Sequence, residues 1–417
     1  MTAQLFEKIF VAALFASLIL KLWLGLRHIG HIRQMREKVP EDFRERISLE
    51  DHMKAADYTI ANTRAGLFSD SIEALLVLGF TLGGGLNFLD AFWRQWISGG
   101  ILQGVMLVGS AVLIMEAFES PVAVYKTFVI EARYGFNRMT PMLFVQDGLK
   151  KIVLTVLLGA PLLALVLWLM AEMGRNWWSY VWLVWITFNL FIISVYPTWI
   201  APFFNKFRPL DESSMKSRIE RLLSKCGFES NGLFVMDGSK RSSHGNAYFT
   251  GFGKTKRIVF FDTLLNRLGE EEVEAVLAHE LGHFRHHHIV RRIALSFLVS
   301  LVFLWALGHA REASWFFEGL NAESQTDATA LLLFFMVIPS FTFLLKPLSS
   351  FYSRKNEFQA DDYAAKQSNA ESLVSALTKL YQESAKTLTP DPLYSIFYDT
   401  HPPASIRIAH LRKAMHN

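Results

Sequence analysis

The chain has 417 residues, of which 51% are hydrophobic and 19% charged, with 35 Phe and 11 Trp. Disorder is excluded, since it needs low hydrophobicity with high net charge; a disulfide scaffold is excluded by a single cysteine, Cys226; and a net charge of +4 gives no reason to expect a nucleic-acid partner. Soluble domains carry about 25% charged residues, so the missing charge points to long apolar runs and a membrane protein.

A helix needs about 20 mainly apolar residues to cross the hydrocarbon core. Seven runs qualify: residues 6–26, 72–92, 97–118, 152–173, 178–196, 293–309 and 328–345. The first exceeds the usual core of a signal peptide and has no small-residue cleavage site, so it reads as a retained anchor. Lys21, near its end, is expected to snorkel toward the surface. The second is the weakest, opened by Glu73 and interrupted by Gly83, Gly84 and Gly85.

The segments between the runs differ in signal. Residues 27–64 read as a solvated connector, amphipathic and helical at most. In residues 119–151, Gly135 lies among aromatics and charges and marks an ordered turn. Residues 197–292 read as a small domain. Asp211 is the expected cap of a helix ending at Gly227, with Ile219, Leu222, Leu223 and Cys226 on one face. Residues 232–236 read as a strand, and residues 246–252 with 257–261 as a β-hairpin around Gly253 to Lys256. Glu270, Glu271 and Glu272 suit the positive end of the next helix. After the seventh run, residues 349–366 and 371–386 read as helices. Residues 390–403, with four prolines, read as irregular, and residues 405–414 as a last helix.

Lys and Arg alternate strongly between the connections. Eight lie in residues 27–64, five in 126–151, fifteen in 206–292 and eight in 354–413, whereas the other three connections carry one each: Arg94, Arg175 and Arg311. The positive-inside rule then places the N-terminus outside and the C-terminus in the cytosol, with every long polar segment on the cytosolic side. An unpaired cysteine agrees with that side.

On the acid-led helix stands His279-Glu280-Leu281-Gly282-His283, the H-E-x-x-H pattern. Residues i and i+4 share a helical face, so both imidazoles reach one metal ion. Glu280 sits where a general base can take a proton from water, and zinc lowers the pKa of a water to about 7. Chance would give roughly 0.02 such matches in a chain this long. A catalytic zinc needs a third protein ligand. The metzincin spacing asks for Gly at 286 and His at 289, where His286 and Ile289 stand, so that class is excluded. His286 and His287 lie one to two turns too far along the helix. A downstream pair, Glu357 and Asp361, four residues apart on one face, offers a carboxylate ligand and a partner to orient a histidine.

These residues resemble the Ste24 family of integral-membrane zinc metalloproteases, the type I CAAX prenyl proteases. The likeness extends to Arg133-Tyr134-Gly135-Phe136-Asn137, to Tyr196-Pro197 with Pro202-Phe203-Phe204-Asn205-Lys206-Phe207, to Ser239-Lys240-Arg241-Ser242-Ser243-His244 with Asn246-Ala247-Tyr248-Phe249 and Gly251-Phe252-Gly253, and to Thr400-His401-Pro402-Pro403 with Arg407. The chain departs from the family in its extra histidines, His286 to His288. The resemblance implies one zinc per chain held by His279, His283 and Glu357, with Glu280 as general base. It implies that Asp361 bonds a ligand histidine, that His401 stabilises the oxyanion with Arg407 in support, and that the strand through Asn246 and Ala247 pairs with extended substrate. An exposed sheet edge offers main-chain hydrogen bonds whatever the side chains, which supports that last role independently. The expected fold is an all-α polytopic membrane protein of about seven transmembrane helices with a small cytosolic α+β zincin-like domain built on the β-hairpin and the H-E-x-x-H helix. Its division is residues 1–200 (five spans), 201–292 (catalytic segment), 293–348 (two spans) and 349–417 (completion of the zinc site).

The implied function is a zinc-dependent endopeptidase acting on peptide or protein substrates at the cytosolic side of a lipid bilayer. Prenylated C-terminal peptides are the substrate in eukaryotes; clearance of misfolded membrane proteins is the alternative in a bacterium. A bacterial inner membrane is expected, or an ER-type membrane in a eukaryote. Residues 414–417 hold no cysteine for lipidation, so the chain is not expected to be a CAAX substrate itself. The competing readings are a seven-span transporter using Glu73 and Glu116 and a lipid-binding pseudoenzyme, against which an intact Glu280 argues.

Overall fold

The computed structural model describes residues 1–250 and 257–416. Helix α1 (Ala3–Met35) starts where Thr2 accepts a hydrogen bond from the Leu5 N–H at 3.3 Å. Helix α2 (Leu49–Phe80) starts in the same way at Ser48, which accepts from the Asp51 N–H at 3.0 Å. The expected connector over residues 27–64 therefore shrinks to residues 36–48. The polar first half of α2 is held by partners rather than by water: Asp57 pairs with Arg36 at 2.8 Å, and Tyr58 bonds Glu131.

α2 ends at its glycines. A Cβ on Gly83 would lie 2.8 Å from the Gly79 carbonyl oxygen, and Gly84 has φ +73°. The chain turns there by 57° into α3 (Gly85–Arg94), so the weakest run is two helices at an angle rather than one straight helix. Next come α4 (Gly100–Tyr125), α5 (Pro141–Glu172), α6 (Trp177–Val195) and the short α7 (Ala201–Phe204). α5 opens with Thr140 as cap and Pro141 at the first helical position, where a missing N–H costs nothing.

The extramembrane segment follows: β1 (Phe207–Pro209), α8 (Ser214–Lys225), β2 (Leu233–Met236), β3 (Ala247–Thr250), β4 (Arg257–Phe261), α9 (Asp262–Leu265) and α10 (Glu270–Arg285). α8 is capped by Ser213, not Asp211; Asp211 is drawn off by Arg208 at 2.6 Å. The sheet order is β1-β2-β4-β3. β3 pairs antiparallel with β4, as a hairpin should, and β2 pairs parallel with β4. The turn expected at Gly253 to Lys256 lies outside the described residues.

Then come α11 (His288–Arg311), α12 (Ser314–Glu318), α13 (Asp327–Thr342), α14 (Lys346–Gln367), α15 (Ala370–Ser384), α16 (Pro392–Tyr398) and α17 (Ala404–His416). The stretch expected to be irregular thus contains a helix. Pro392 occupies its first turn, and the buried Asp391 carboxylate caps Leu393 and Tyr394 at 3.1 and 2.9 Å while pairing with Arg27 at 3.0 Å. Among the described residues, six helices are long and apolar enough to cross a membrane, or seven with the bent pair as one span.

Two cores result. One gathers Phe6, Phe10, Leu107, Met170, Trp177, Leu307 and Leu333 from the spanning helices. The other gathers Phe43, Ile219, Leu222, Val235, Phe260, Leu277, Leu373 and Ile408 around α10. The spanning helices leave Phe15, Ile19, Leu157, Leu183, Leu298 and Val302 exposed, the surface a bilayer would cover. Lys21 does not snorkel. It turns inward to Asp70 at 2.9 Å and Glu73 at 3.3 Å, because an acid pair on α2 satisfies it there. Glu73 is engaged by that contact, and Glu116 is exposed on α4.

Candidate metal centre

The H-E-x-x-H helix is built from its first turn. Glu272 accepts the Gly269 N–H at 2.7 Å, and Lys379 and Ser375 of α15 hold its carboxylate at 2.7 Å each. α10 then packs on α14 at very close range. A Cβ on Gly282 would lie 2.8 Å from Ala360 Cα and 3.1 Å from its carbonyl oxygen. That closeness brings residues 279 and 283 on one helix to residues 357 and 361 on the other.

His279, His283 and Glu357 present ligand atoms that all lie within 4.8 Å of one another. His279 Nε2 and His283 Nε2 are 3.2 Å apart, and Glu357 is 3.4 Å from each. His279 and Glu357 are buried. Glu280 is half-buried, and burial pushes its carboxyl up from the ordinary value.

The outer contacts decide which imidazole nitrogens carry protons. Asp361 lies 2.8 Å from His279 Nδ1 and can only accept, so Nδ1 is the protonated nitrogen and Nε2 offers its lone pair inward. Arg407 grips Asp361 twice, at 2.9 Å through Nε and 2.6 Å through Nη2. On the other side, His288 Nε2 is 2.9 Å from the Gln359 side-chain oxygen, and its Nδ1 is 3.0 Å from His283 Nδ1. With Gln359 accepting from His288 Nε2–H, His288 Nδ1 must accept from His283, and His283 Nε2 is also left with a lone pair. The extra histidines therefore include one that orients a site residue. Sequence reasoning missed this; the trace it left was a His five residues beyond His283 and a Gln two beyond Glu357.

Two lone pairs facing each other at 3.2 Å repel unless a cation lies between them. At a Zn–N distance of about 2.0–2.1 Å, two tetrahedral ligand nitrogens are roughly 3.3 Å apart. Glu357 Oε2 is buried and accepts no hydrogen bond among the described residues. Both observations fit a divalent metal such as zinc at this donor set.

The remaining expected residues are also nearby. His401 Nε2 lies 3.4 Å from Glu357 Oε1, with its side chain 57% exposed. It lines a cavity of about 570 Å³ bounded by Lys21, Tyr58, Asp70, Tyr381 and Lys386. Arg407 is 3.5 Å from Glu357. Asn246 lies just before β3, where its carbonyl accepts the Phe261 N–H at 2.9 Å and its side chain accepts the Ala247 N–H at 2.8 Å. Ala247 opens β3, one of the two edge strands of the described sheet. Phe249 of that strand rests on Phe284 of α10, ring centres 4.8 Å apart.

Comparison with known proteins gives the family and the fold. Residues 28–206 match the family described as CAAX prenyl protease N-terminal, five membrane helices, and residues 209–415 match peptidase family M48. CAAX prenyl protease 1 of Saccharomyces cerevisiae is 32% identical over 90% of this chain and 88% of its own. The Homo sapiens CAAX prenyl protease 1 homolog is 31% identical over 97% of this chain and 96% of its own. The crystal structure of S. mikatae Ste24p superposes with a TM-score of 0.89 at 29% identity, covering 97% of this chain and 98% of that one. None of these relatives favours a transporter. With its spans, its M48 segment and its paired histidines, the chain belongs to the Ste24 family of multi-pass membrane metalloproteases, the CAAX prenyl proteases of type 1.

Proposed function

We propose that the metal is zinc, one per chain, held by His279, His283 and Glu357, and that Glu280 is the general base of peptide hydrolysis. The observation that carries this is the approach of His279 Nε2 and His283 Nε2 to 3.2 Å beside a buried Glu357 oxygen that accepts no hydrogen bond among the described residues. Bound there, zinc supplies a Lewis acid that polarises the scissile carbonyl and acidifies water. Glu280 takes the proton of the attacking water and passes it to the leaving amine. Among the described residues Glu280 accepts no hydrogen bond, so its carboxylate is available for that work. His401, reaching in from the cavity side, donates to the developing oxyanion. Arg407 acts through Asp361 and keeps His279 oriented. Extended substrate adds to the free edge of β3 at Asn246 and Ala247.

Residues 201–292 and 349–417 complete one catalytic unit, with residues 1–200 and 293–348 supplying the spans. The basic connections support a cytosolic setting for that unit with the N-terminus outside; a bacterial inner membrane, or an ER-type membrane in a eukaryote, is the setting proposed. The relatives' names support prenylated C-terminal peptides as substrate.

Metal analysis and peptide cleavage test the reading. Glu280→Gln is expected to retain one zinc and lose about 10²–10⁴-fold in hydrolysis. Full activity in that variant, or in chelated protein, would sink it. Equal turnover of a farnesylated peptide and its unlipidated twin would remove the prenyl preference and leave the hydrolase standing.

A further inference from the structure

Successive strand residues face opposite sides of a sheet. Leu233, Val235, Ile258 and Phe260 point into the core around α10. Phe234, Tyr248, Arg257 and Val259 therefore take the far face, away from the metal centre. Together with Lys206 and Pro197, from the stretch that follows α6, they line an open cavity of about 730 Å³.

The level of this cavity can be read from two spans. Lys150, just before the fourth apolar run, donates to the Phe203 carbonyl at 2.8 Å. The start of one span and the end of the next are thus tied at one height. Tyr196, Trp199 and Phe203 are exposed around that height, at 45%, 72% and 46%. Aromatics in such a girdle mark the headgroup zone of a bilayer.

The cavity is also positively charged. Among the described residues, Lys206 and Arg257 have no acidic partner. Asp237 accepts the backbone N–H of Lys206 at 2.7 Å and leaves its ammonium alone; Arg257 rests on the Phe234 ring at 5.2 Å. An apolar sheet face would ordinarily be covered by a helix. Here it meets the membrane boundary with two unneutralised cations.

We propose that this cavity binds an anionic glycerophospholipid, its phosphate between Lys206 and Arg257 and its chains along the exposed aromatics. The site anchors the sheet that carries the zinc helix to the bilayer surface. It needs only the membrane setting, and so stands apart from the peptidase reading.

The test uses the full chain in phosphatidylcholine vesicles doped with a photoreactive phosphatidylglycerol. Adducts are expected on residues 197–207. In the Lys206→Gln/Arg257→Gln double variant they should fall about thirtyfold, the effect of two basic groups at an anionic surface. Lys206→Arg should keep them, which separates lost charge from lost fold. Peptide cleavage in detergent should be unchanged in the double variant, because the cavity lies on the other side of the sheet from His279. Equal labelling of the double variant would overturn the proposal. So would displacement of the label by inorganic phosphate, which would make the site one for a free anion, or by a peptide substrate, which would make it part of the substrate path.

Discussion

Asp361 and Gln359 stand on the same helix as Glu357, and each fixes the protonation of a different imidazole. Asp361 does it directly, at 2.8 Å from His279. Gln359 does it through His288, at 2.9 Å and then 3.0 Å. Partners of this kind are typically worth 10–100-fold in metal affinity. Asp361→Ala and Gln359→Met are both expected to weaken zinc by that range in a chelator-competition titration. Gln359→Glu, which still accepts from His288, should stay near the parent value. Arg407→Ala has a further cost, since it removes the cation paired with the Asp361 carboxylate, which is 0% exposed, and leaves it only the His279 contact. A loss of about 3–5 kcal/mol in unfolding stability is expected there. The H-E-x-x-H histidines were legible because four residues make one helical turn. The route from Gln359 was not, since its contact to His288 closes over 71 residues of chain that no local pattern spans.

Among the elements, the decisive packing is α10 against α14. Gly282→Ala would force the two backbones apart, an overpacking cost of about 1–3 kcal/mol, and would carry Glu357 away from the histidines. A lowered melting temperature together with weakened zinc binding is the expected result. Gly30→Ala, where nothing lies within 4 Å of the added methyl, is the matched control and should leave both unchanged. Helix positions were legible wherever apolar residues were periodic or continuous. They were not where polar contacts between elements replaced that signal. The first half of α2 looked like solvent-facing chain because its partners, Arg36 and Glu131, lie 21 and 73 residues away in sequence, beyond any local pattern. α16 was hidden by prolines that the first turn of a helix accepts. β1 was too short at three residues to show any alternation.

Across the whole molecule, Arg241 joins the two cores. It grips Asp147 of α5 at 2.8 and 3.1 Å, the Phe204 carbonyl at 2.7 Å and the Asn205 side-chain oxygen at 2.8 Å. Beside it, Ser243 donates its N–H to the Phe136 carbonyl at 3.2 Å and Arg138 to the Arg241 carbonyl at 3.1 Å. Motifs that the sequence showed only as separate likenesses to one family therefore meet at a single joint between the membrane helices and the sheet. Arg241→Ala leaves Asp147, 6% exposed, as an unpaired buried acid. It should destabilise the protein by about 3–5 kcal/mol, and adding Asp147→Asn should restore much of that in a double-mutant cycle.

The paired histidines and their proposed third ligand sit on opposite sides of two spanning helices in chain order, α11 and α13. A ribosome that has released only residues 279 and 283 has made no cutting edge. Hydrolysis must wait until the later hydrophobic segments have been threaded through the lipid and have returned the carboxylate to the same side. A half-inserted nascent chain is in this way spared its own blade, and insertion itself becomes the step that arms it.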